Sequence, residues 1–240
     1  GLALATPEHS FVAPLDVARE PPTSARCLAT LYNTPRAPDA SGFKRTITHT
    51  HPSGIPKMHY PIKVAGLKRD LPLFPISDDL QIAAFILLGD QELTVACASA
   101  LLEKAPEYDF MLTAEAKGIP LIHEMARQAG ADRYFVARKK MKLYMGDALE
   151  ADVQSITTAG LQKLYLTEED AALMKGRRIL IVDDVISTGK SLEALEKLVV
   201  KAGGIIAGRA AVLAEGDAAK RTDITFLEPL PLFNKAGEAI

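Results

Sequence analysis

Apolar and polar residues change their spacing several times along this 240-residue chain, and each change predicts a different element. Before residue 58 the spacing has no period. Arg19-Glu20-Pro21-Pro22, Thr34-Pro35-Arg36 and Pro38-Asp39-Ala40-Ser41-Gly42 leave too little apolar surface to offset the entropy of ordering, which predicts a flexible extension. From Tyr60 the pattern tightens. Residues 60–64 and 71–76, separated by Gly66, predict a hairpin of short strands, and residues 80–88 a further strand. Asp90 stands at a helix N-cap position. Leu93, Ala96, Cys97, Ala100 and Leu101 then share one face of a helix running to about Lys104. Strands predicted at 109–113, 134–137, 179–182 and 205–213 alternate with helices at 119–128 and 191–201. Gly130 stops the first of these helices and Gly203-Gly204 the second. Strand and helix in this alternation predict an α/β fold, a parallel sheet with helices on both faces. The text from Lys139 to Lys175 is less regular, with residues 153–157 and 163–166 as short strand candidates.

Composition turns the change of pattern into a boundary. Eight of the 15 prolines fall in residues 1–57, so the chain divides into an extension, 1–57, and a domain, 58–240, long enough to bury a sizeable core. The longest apolar run, residues 82–88, is far short of the ~20 residues that span a bilayer. Cys27 and Cys97 are too few for a disulfide framework or a cysteine zinc site, and Cys97 on an apolar helix face reads as core. His49 and His51 lack a third metal ligand. A net charge of −2 offers no global attraction to nucleic acid or to an anionic membrane. These features describe a reduced, cytoplasmic protein. The Arg, Ser and Thr of residues 1–57 admit organelle targeting, against which Glu8, Asp16, Glu20 and Asp39 count. With Met58 at the start of the ordered pattern, residues 1–57 read as a tail or an over-extended start.

The chemistry concentrates after one apolar run. Residues 179–182 lead into Asp183 and Asp184, then Val185 and Ile186, then Ser187-Thr188-Gly189-Lys190-Ser191 at a helix start. A small, hydroxyl-bearing turn at a helix N-terminus offers N–H groups to a phosphate. Adjacent carboxylates at the carboxyl end of a strand suit sugar hydroxyls or a hydrated Mg²⁺. Together they point to a sugar phosphate. The Gly189-Lys190-Ser191 ending also occurs in the nucleotide P-loop, but that loop needs glycine where Asp184 stands. A second turn between strand and helix, Thr113 to Gly118, is anion-ready as well. Arg138-Lys139-Lys140-Met141-Lys142 concentrates four cations, which reads as a solvated charge run or as a contact to a small polyanion.

These stretches resemble the type I phosphoribosyltransferases over roughly residues 109–213, most closely their adenine branch. The resemblance implies a Rossmann-like parallel-sheet core with flanking helices, and a small hood formed by about residues 58–90. It implies a reaction with phosphoribosyl pyrophosphate (PRPP) and a nucleobase, with Mg²⁺ bound through water and substrate oxygens, in a homodimer without nucleic acid or membrane. Residue by residue, Asp183 and Asp184 would hold the ribose hydroxyls. Ser187, Thr188, Gly189, Lys190 and Ser191 would hold the 5-phosphate, with Val185 and Ile186 leading into them. Glu115-Ala116-Lys117-Gly118 matches the pyrophosphate turn Glu-x-Arg-Gly, with Lys117 in place of the arginine. Arg138, Lys139 and Lys142 would open the mobile catalytic loop. Adenine members carry a glutamate in that loop, whereas residues 155–160 here read Ser-Ile-Thr-Thr-Ala-Gly. Glu115-Ala116-Lys117-Gly118, Arg138-Lys139 and the motif at Val182 together look most like the adenine branch, so the expected activity is transfer of phosphoribose to adenine. Xanthine, hypoxanthine/guanine or a pyrimidine as the base, or a PRPP-sensing regulator without catalysis, are the alternatives.

Overall fold

The computed structural model describes residues 58–153 and 162–240. The extension expected over 1–57, with His49, His51 and Cys27, lies outside them, as do residues 155–160. The chain orders as β1 (His59–Val64), β2 (Leu67–Pro75), β3 (Leu80–Ala83), α1 (Gln91–Lys104), β4 (Phe110–Ala114), α2 (Ile119–Ala129) and β5 (Phe135–Ala137). There follow β6 (Leu149–Val153), β7 (Gln162–Leu166), α3 (Glu168–Met174), β8 (Arg178–Ile186), α4 (Lys190–Lys201), β9 (Ile205–Glu215), β10 (Thr225–Leu230) and β11 (Phe233–Asn234).

A five-stranded sheet in the order β10-β9-β8-β4-β5 forms the centre, and every pairing in it is parallel. β8 is its middle strand. Ile179, Leu180, Ile181 and Val182 are all buried because both faces of the sheet are covered. Leu180 and Val182 pack with Leu93, Cys97 and Leu101 of α1 and with Leu121, Ile122 and Met125 of α2. Ile179 and Ile181 pack on the opposite side with Leu192, Leu195, Leu198 and Val199 of α4 and Met174 of α3. Burying each such leucine or isoleucine contributes about 1.5–3 kcal/mol. Cys97 belongs to this core, where burial pushes its thiol up to about 12, too high for a reactive thiolate at neutral pH.

Local chemistry places the ends of the elements. Ala65 and Gly66 both have positive φ (47° and 83°), the backbone a two-residue hairpin turn needs, so β2 begins at Leu67 and pairs with Val64. It starts four residues before the expected Leu71 because Lys68, Arg69 and Asp70 pair as well as apolar residues do on an exposed face. β3 stops at Ala83, although Phe85 and Leu87 beyond it are buried. Asp90 caps α1 by accepting the Leu93 N–H at 3.1 Å. The buried face of α1 is Leu93, Thr94, Cys97, Ala98 and Leu101, so Ala96 and Ala100 sit at its margin. α2 ends at Gly130, whose φ of 66° lets its N–H reach the carbonyls of Ala126 and Arg127.

A second sheet, β1-β2-β3-β11, is antiparallel and draws its last strand from the far end of the chain. Phe233 is buried there against Tyr60, with ring centroids 5.0 Å apart. Residues 58–90 thus form this sheet together with β11, which the pattern of residues 233–234 is too short to reveal. A two-stranded ladder, β6-β7, completes the strands. No helix among the described residues is long and apolar enough to cross a membrane.

Asp90 also receives Arg69 Nε at 2.6 Å and Nη2 at 2.9 Å, tying α1 to β2. The Arg69 guanidinium holds the Asp90 carboxyl below its ordinary range. A depressed pKa contributes stability above about pH 4, the unfolded value, and loses it as pH falls through the folded value. Asp90→Ala should cost about 1–2 kcal/mol at neutral pH, read from urea unfolding, with the deficit shrinking below pH 4.

Candidate active site

The order of the central sheet locates the site. From β4 the chain proceeds to β5 on one side, whereas β8, β9 and β10 lie on the other. The sense of winding reverses between β4 and β8, and open α/β sheets bind ligands beyond the carboxyl ends of strands at such a reversal. The ladder between β4 and β8 runs from Phe110 with Ile179 to Leu112 with Ile181. Past it, β8 continues to Ile186 along β9 alone, so Asp183 and Asp184 stand beside the turn that follows β4.

Here the strand is longer than the apolar run implied. β8 runs on through Asp183, Asp184, Val185 and Ile186, with Asp183, Val185 and Ile186 opposite Ala211, Leu213 and Ala214 of β9. Ile186 is 3% exposed and packs with α4, and it also borders the small cavity formed with Ser187 to Ser191. Asp184 is 3% exposed. Its Oδ2 lies 3.2 Å from Lys117 Nζ and has no hydrogen-bond partner of good geometry. Burial and the neighbouring Asp184 charge push the Asp183 carboxyl pKa well up, against a smaller opposing pull from Lys117. The Asp184 N–H donates to Asp183 Oδ1 at 2.9 Å, which orients the pair.

The turn after β4 carries Glu115, Ala116, Lys117 and Gly118, and its Glu115–Ala116 peptide is cis. Gly118 permits a close approach. A Cβ there would come 2.2 Å from Thr113 Oγ1 and 3.5 Å from Asp183 Oδ1. Glu115 reaches sideways. Its Oε2 accepts the Lys139 N–H at 3.0 Å and lies 3.3 Å from Arg138 Nε, and its carboxyl is held below the ordinary range chiefly by the Lys139 N–H. The β4 turn and the cationic segment after β5 are therefore fastened together.

A cavity of about 660 Å³ opens over this junction. Glu115, Ala116, Lys117, Lys139, Asp183, Asp184, Val185 and Ser191 line it. Ser187, Thr188, Gly189 and Lys190 line a smaller cavity of about 50 Å³ that shares Asp183, Val185 and Ser191 with the larger one. Gly189, at φ 76°, turns the chain into α4, whose first N–H groups receive no side-chain cap. Arg138 and Lys142 do not line the larger cavity. Arg138 is held toward Glu115 and the Tyr144 hydroxyl, and Lys142 is exposed before the short 3₁₀ turn Leu143–Met145. Lys140, Lys163 and Tyr165 line it instead. β7 brings the last two there, bonded to Arg138 through two backbone hydrogen bonds of 2.8 Å. The alternation Lys163-Leu164-Tyr165-Leu166, polar out and apolar in, was the available signal for them.

Gly118→Ala should lower stability by about 1–3 kcal/mol and impair the site, because the new methyl overlaps Thr113 Oγ1. Adding Thr113→Ala should restore much of the loss, and thermal melts of the two variants would show it.

Comparison with known proteins agrees with this geometry. Residues 92–231 match the family model described as the phosphoribosyl transferase domain. The chain is 32% identical over 163 residues to an adenine phosphoribosyltransferase of Thermotoga petrophila, covering 67% of this chain and 87% of that one. It is 31% identical over 149 residues to a hypoxanthine/guanine phosphoribosyltransferase of Methanocella paludicola, covering 62% of this chain and 71% of that one. Among solved structures it is similar to the adenine phosphoribosyltransferase of Rhodothermus marinus. That match has a TM-score of 0.51 and 25% identity, over 72% of this chain and 94% of the other. The enzyme of the same name from Thermoanaerobacter pseudethanolicus shares the fold at a TM-score of 0.52 and 22% identity, over 72% and 95%. A parallel sheet whose winding reverses beside a buried acid pair, and a family model spanning residues 92–231, lead to one conclusion: this chain belongs to the phosphoribosyltransferase family.

Proposed function

We propose that this phosphoribosyltransferase moves the 5-phosphoribosyl group of PRPP to a purine, adenine in the first place, releasing pyrophosphate. One observation carries the reading: acid pair, hydroxyl-bearing turn and cationic segment border two cavities that share Asp183, Val185 and Ser191. A polyol fits the acids, a terminal phosphate fits Ser187, Thr188, Gly189, Lys190 and Ser191, and a diphosphate fits Lys117 with Lys139. PRPP carries all three in one molecule. Adenine is preferred because the Thermotoga relative matches across more of both chains and Glu115-Ala116-Lys117-Gly118 keeps the spacing of the adenine branch. The Methanocella relative supports hypoxanthine or guanine as the second reading.

In the transfer, the bond from ribose C1 to the pyrophosphate oxygen breaks as a ring nitrogen of the base bonds to C1. Positive charge develops on the sugar and negative charge on the leaving group. Lys117 and Lys139 oppose the second of these charges, and Arg138 and Lys142 add to the field from beyond the cavity. Lys117 has a double task. It offsets Asp184, and on arrival of ribose hydroxyls at that carboxylate it turns toward the diphosphate. The buried Oδ2 of Asp184, close to the Lys117 ammonium but without a hydrogen-bond partner, is the feature that fits incoming hydroxyls. Asp183 and Asp184 also suit Mg²⁺, which needs only one or two carboxylates when substrate oxygens and water supply the rest. Among the described residues no group of three His, Cys, Asp or Glu side chains offers a fuller cage. Bound there, Mg²⁺ would neutralise charge on the departing pyrophosphate. The antiparallel sheet of β1, β2, β3 and β11 serves as the hood over the base, and a cytoplasmic homodimer is the assembly the resemblance implies.

Purified protein given PRPP, Mg²⁺ and each base in turn should release pyrophosphate fastest with adenine. Release with hypoxanthine or guanine alone would favour the second reading, and PRPP binding without release for any base would make the protein a sensor. Asp183→Asn with Asp184→Asn should weaken PRPP binding by about 10²–10⁴, the loss of two charge-assisted hydrogen bonds. The same variant should keep or raise the thermal midpoint at neutral pH. A raised carboxyl pKa favours the folded state most below the ordinary carboxylate range, and that contribution is lost as pH rises. Removing the Asp183 charge therefore removes a cost.

A further inference from the structure

The turn at Ser187–Ser191 has a neighbour that neither the pattern nor the family motifs single out. Arg221 follows the 3₁₀ helix Gly216–Lys220 that joins β9 to β10, at the same edge of the sheet. Its guanidinium is held along one side. Nε donates to Asp223 Oδ1 at 2.9 Å and Nη2 to Oδ2 at 2.7 Å, a two-point grip that fixes the plane. Asp223 is itself placed by Arg209 of β9, 3.8 Å away, and Arg209 pairs with Glu196 of α4. The guanidinium is thus braced against the helix that begins at the turn. Its remaining nitrogen, Nη1, has no hydrogen-bond partner among the described residues. It lies 2.9 Å from where a Cβ on Gly189 would stand.

Two constraints meet at Gly189. Its φ of 76° disfavours other residues, and any side chain would collide with Arg221 Nη1. A guanidinium laid against the backbone of an anion-ready turn, with both Nη1 N–H groups unspent, adds to that turn what α4 lacks. The helix supplies N–H dipoles but no side-chain cap, and Arg221 supplies a full charge from a different strand connection. We infer that Arg221, aimed by Asp223, is a ligand of the terminal phosphate of the substrate, closing the Ser187–Ser191 turn from the β10 side. This inference rests on the phosphate reading of that turn. Its chemistry is that of a phosphate monoester, and it makes Asp223 a positioning residue.

Ribose 5-phosphate and inorganic pyrophosphate separate the two halves of the site. The purified full chain would be titrated with each by calorimetry, in wild type, Arg221→Gln, Arg221→Lys and Asp223→Asn forms. Arg221→Gln should weaken ribose 5-phosphate about 10- to 100-fold, the range for one charged hydrogen bond, and leave pyrophosphate within about twofold. Arg221→Lys should recover part of the loss, since an ammonium keeps the charge without the two-point grip. Asp223→Asn should show a smaller loss confined to ribose 5-phosphate. Equal affinity of wild type and Arg221→Gln for ribose 5-phosphate would overturn the inference and leave the transferase reading standing. So would parallel loss of both ligands in Arg221→Gln and Arg221→Lys, because Arg221 would then be supporting the fold of the turn. Wild type that releases pyrophosphate with a base yet gains nothing from the phosphate, binding ribose as well as ribose 5-phosphate, would also overturn it. Wild type that neither binds ribose 5-phosphate nor turns over PRPP would overturn both.

Discussion

Asp183 sits beside the buried Asp184 at the end of a central strand, where burial and the Asp184 charge together raise the cost of ionising Asp183. An isolated carboxylate in such a place would be displaced by any apolar residue of similar size. Here the rest of the fold supplies what the pair needs. β8 is fully buried up to Val182, which keeps the strand in position, and the ladder to β4 covers only its first half. The gap this leaves admits the β4 turn, and Lys117 on that turn reaches Asp184. Gly118, lacking a side chain, lets the turn settle against Thr113 and Asp183. A stable strand is thus combined with a costly acid pair at its tip, which Lys117 partly offsets.

Around that tip the molecule distributes charge by strand connection. The connection after β4 carries Glu115 and Lys117, that after β5 carries Arg138, Lys139 and Lys140, and that after β8 carries Lys190; that after β9 carries Arg221, which lies beside Gly189 without lining either cavity. Three of these cations are tethered by carboxylates, Arg138 to Glu115 and Lys117 to Asp184 across connections, and Arg221 to Asp223 within its own. The part-exposed Arg138 and Arg221 pairs add little to stability. Their effect is orientation, since a long side chain held at one point is already partly ordered when an anion arrives. The slight negative charge of the whole chain therefore does not describe its site, where cations cluster locally against acids that aim them.

The two core regions divide the labour. On one face of the sheet α1 and α2 pack with the antiparallel sheet, so the β1–β3 region and β11 are fixed relative to the acid pair through Leu180 and Val182. On the other, α4, α3 and the β6-β7 ladder pack around Ile179, Ile181 and Ile186. β7 also pairs with Arg138, which places Lys163 and Tyr165 over the cavity. The side that would cover a base and the side that would cover a diphosphate are built on opposite faces of one strand.

Much of this was legible in the sequence because it is local. The Asp90 cap, the Gly66 hairpin turn, the Gly130 and Gly203-Gly204 stops and the apolar run of β8 each depend on residues within one element. So do the two anion-ready turns, whose small and hydroxyl residues follow directly on strands. Other local signals were present but unread: Thr167 caps α3 and is followed by Glu168, Glu169 and Asp170, a plain helix start. What only the tertiary structure decided involves partners distant in the chain. It extended β8 to Ile186, because β9 offers a ladder there that the apolar run does not announce. It recruited Phe233 to a sheet begun at His59, and it brought Arg221 to Gly189 and Lys117 to Asp184. Spacing along a chain records which residues share a helix face or a strand face. Which ends of separate strands meet is set by sheet order and burial, and those exist only once the chain has folded.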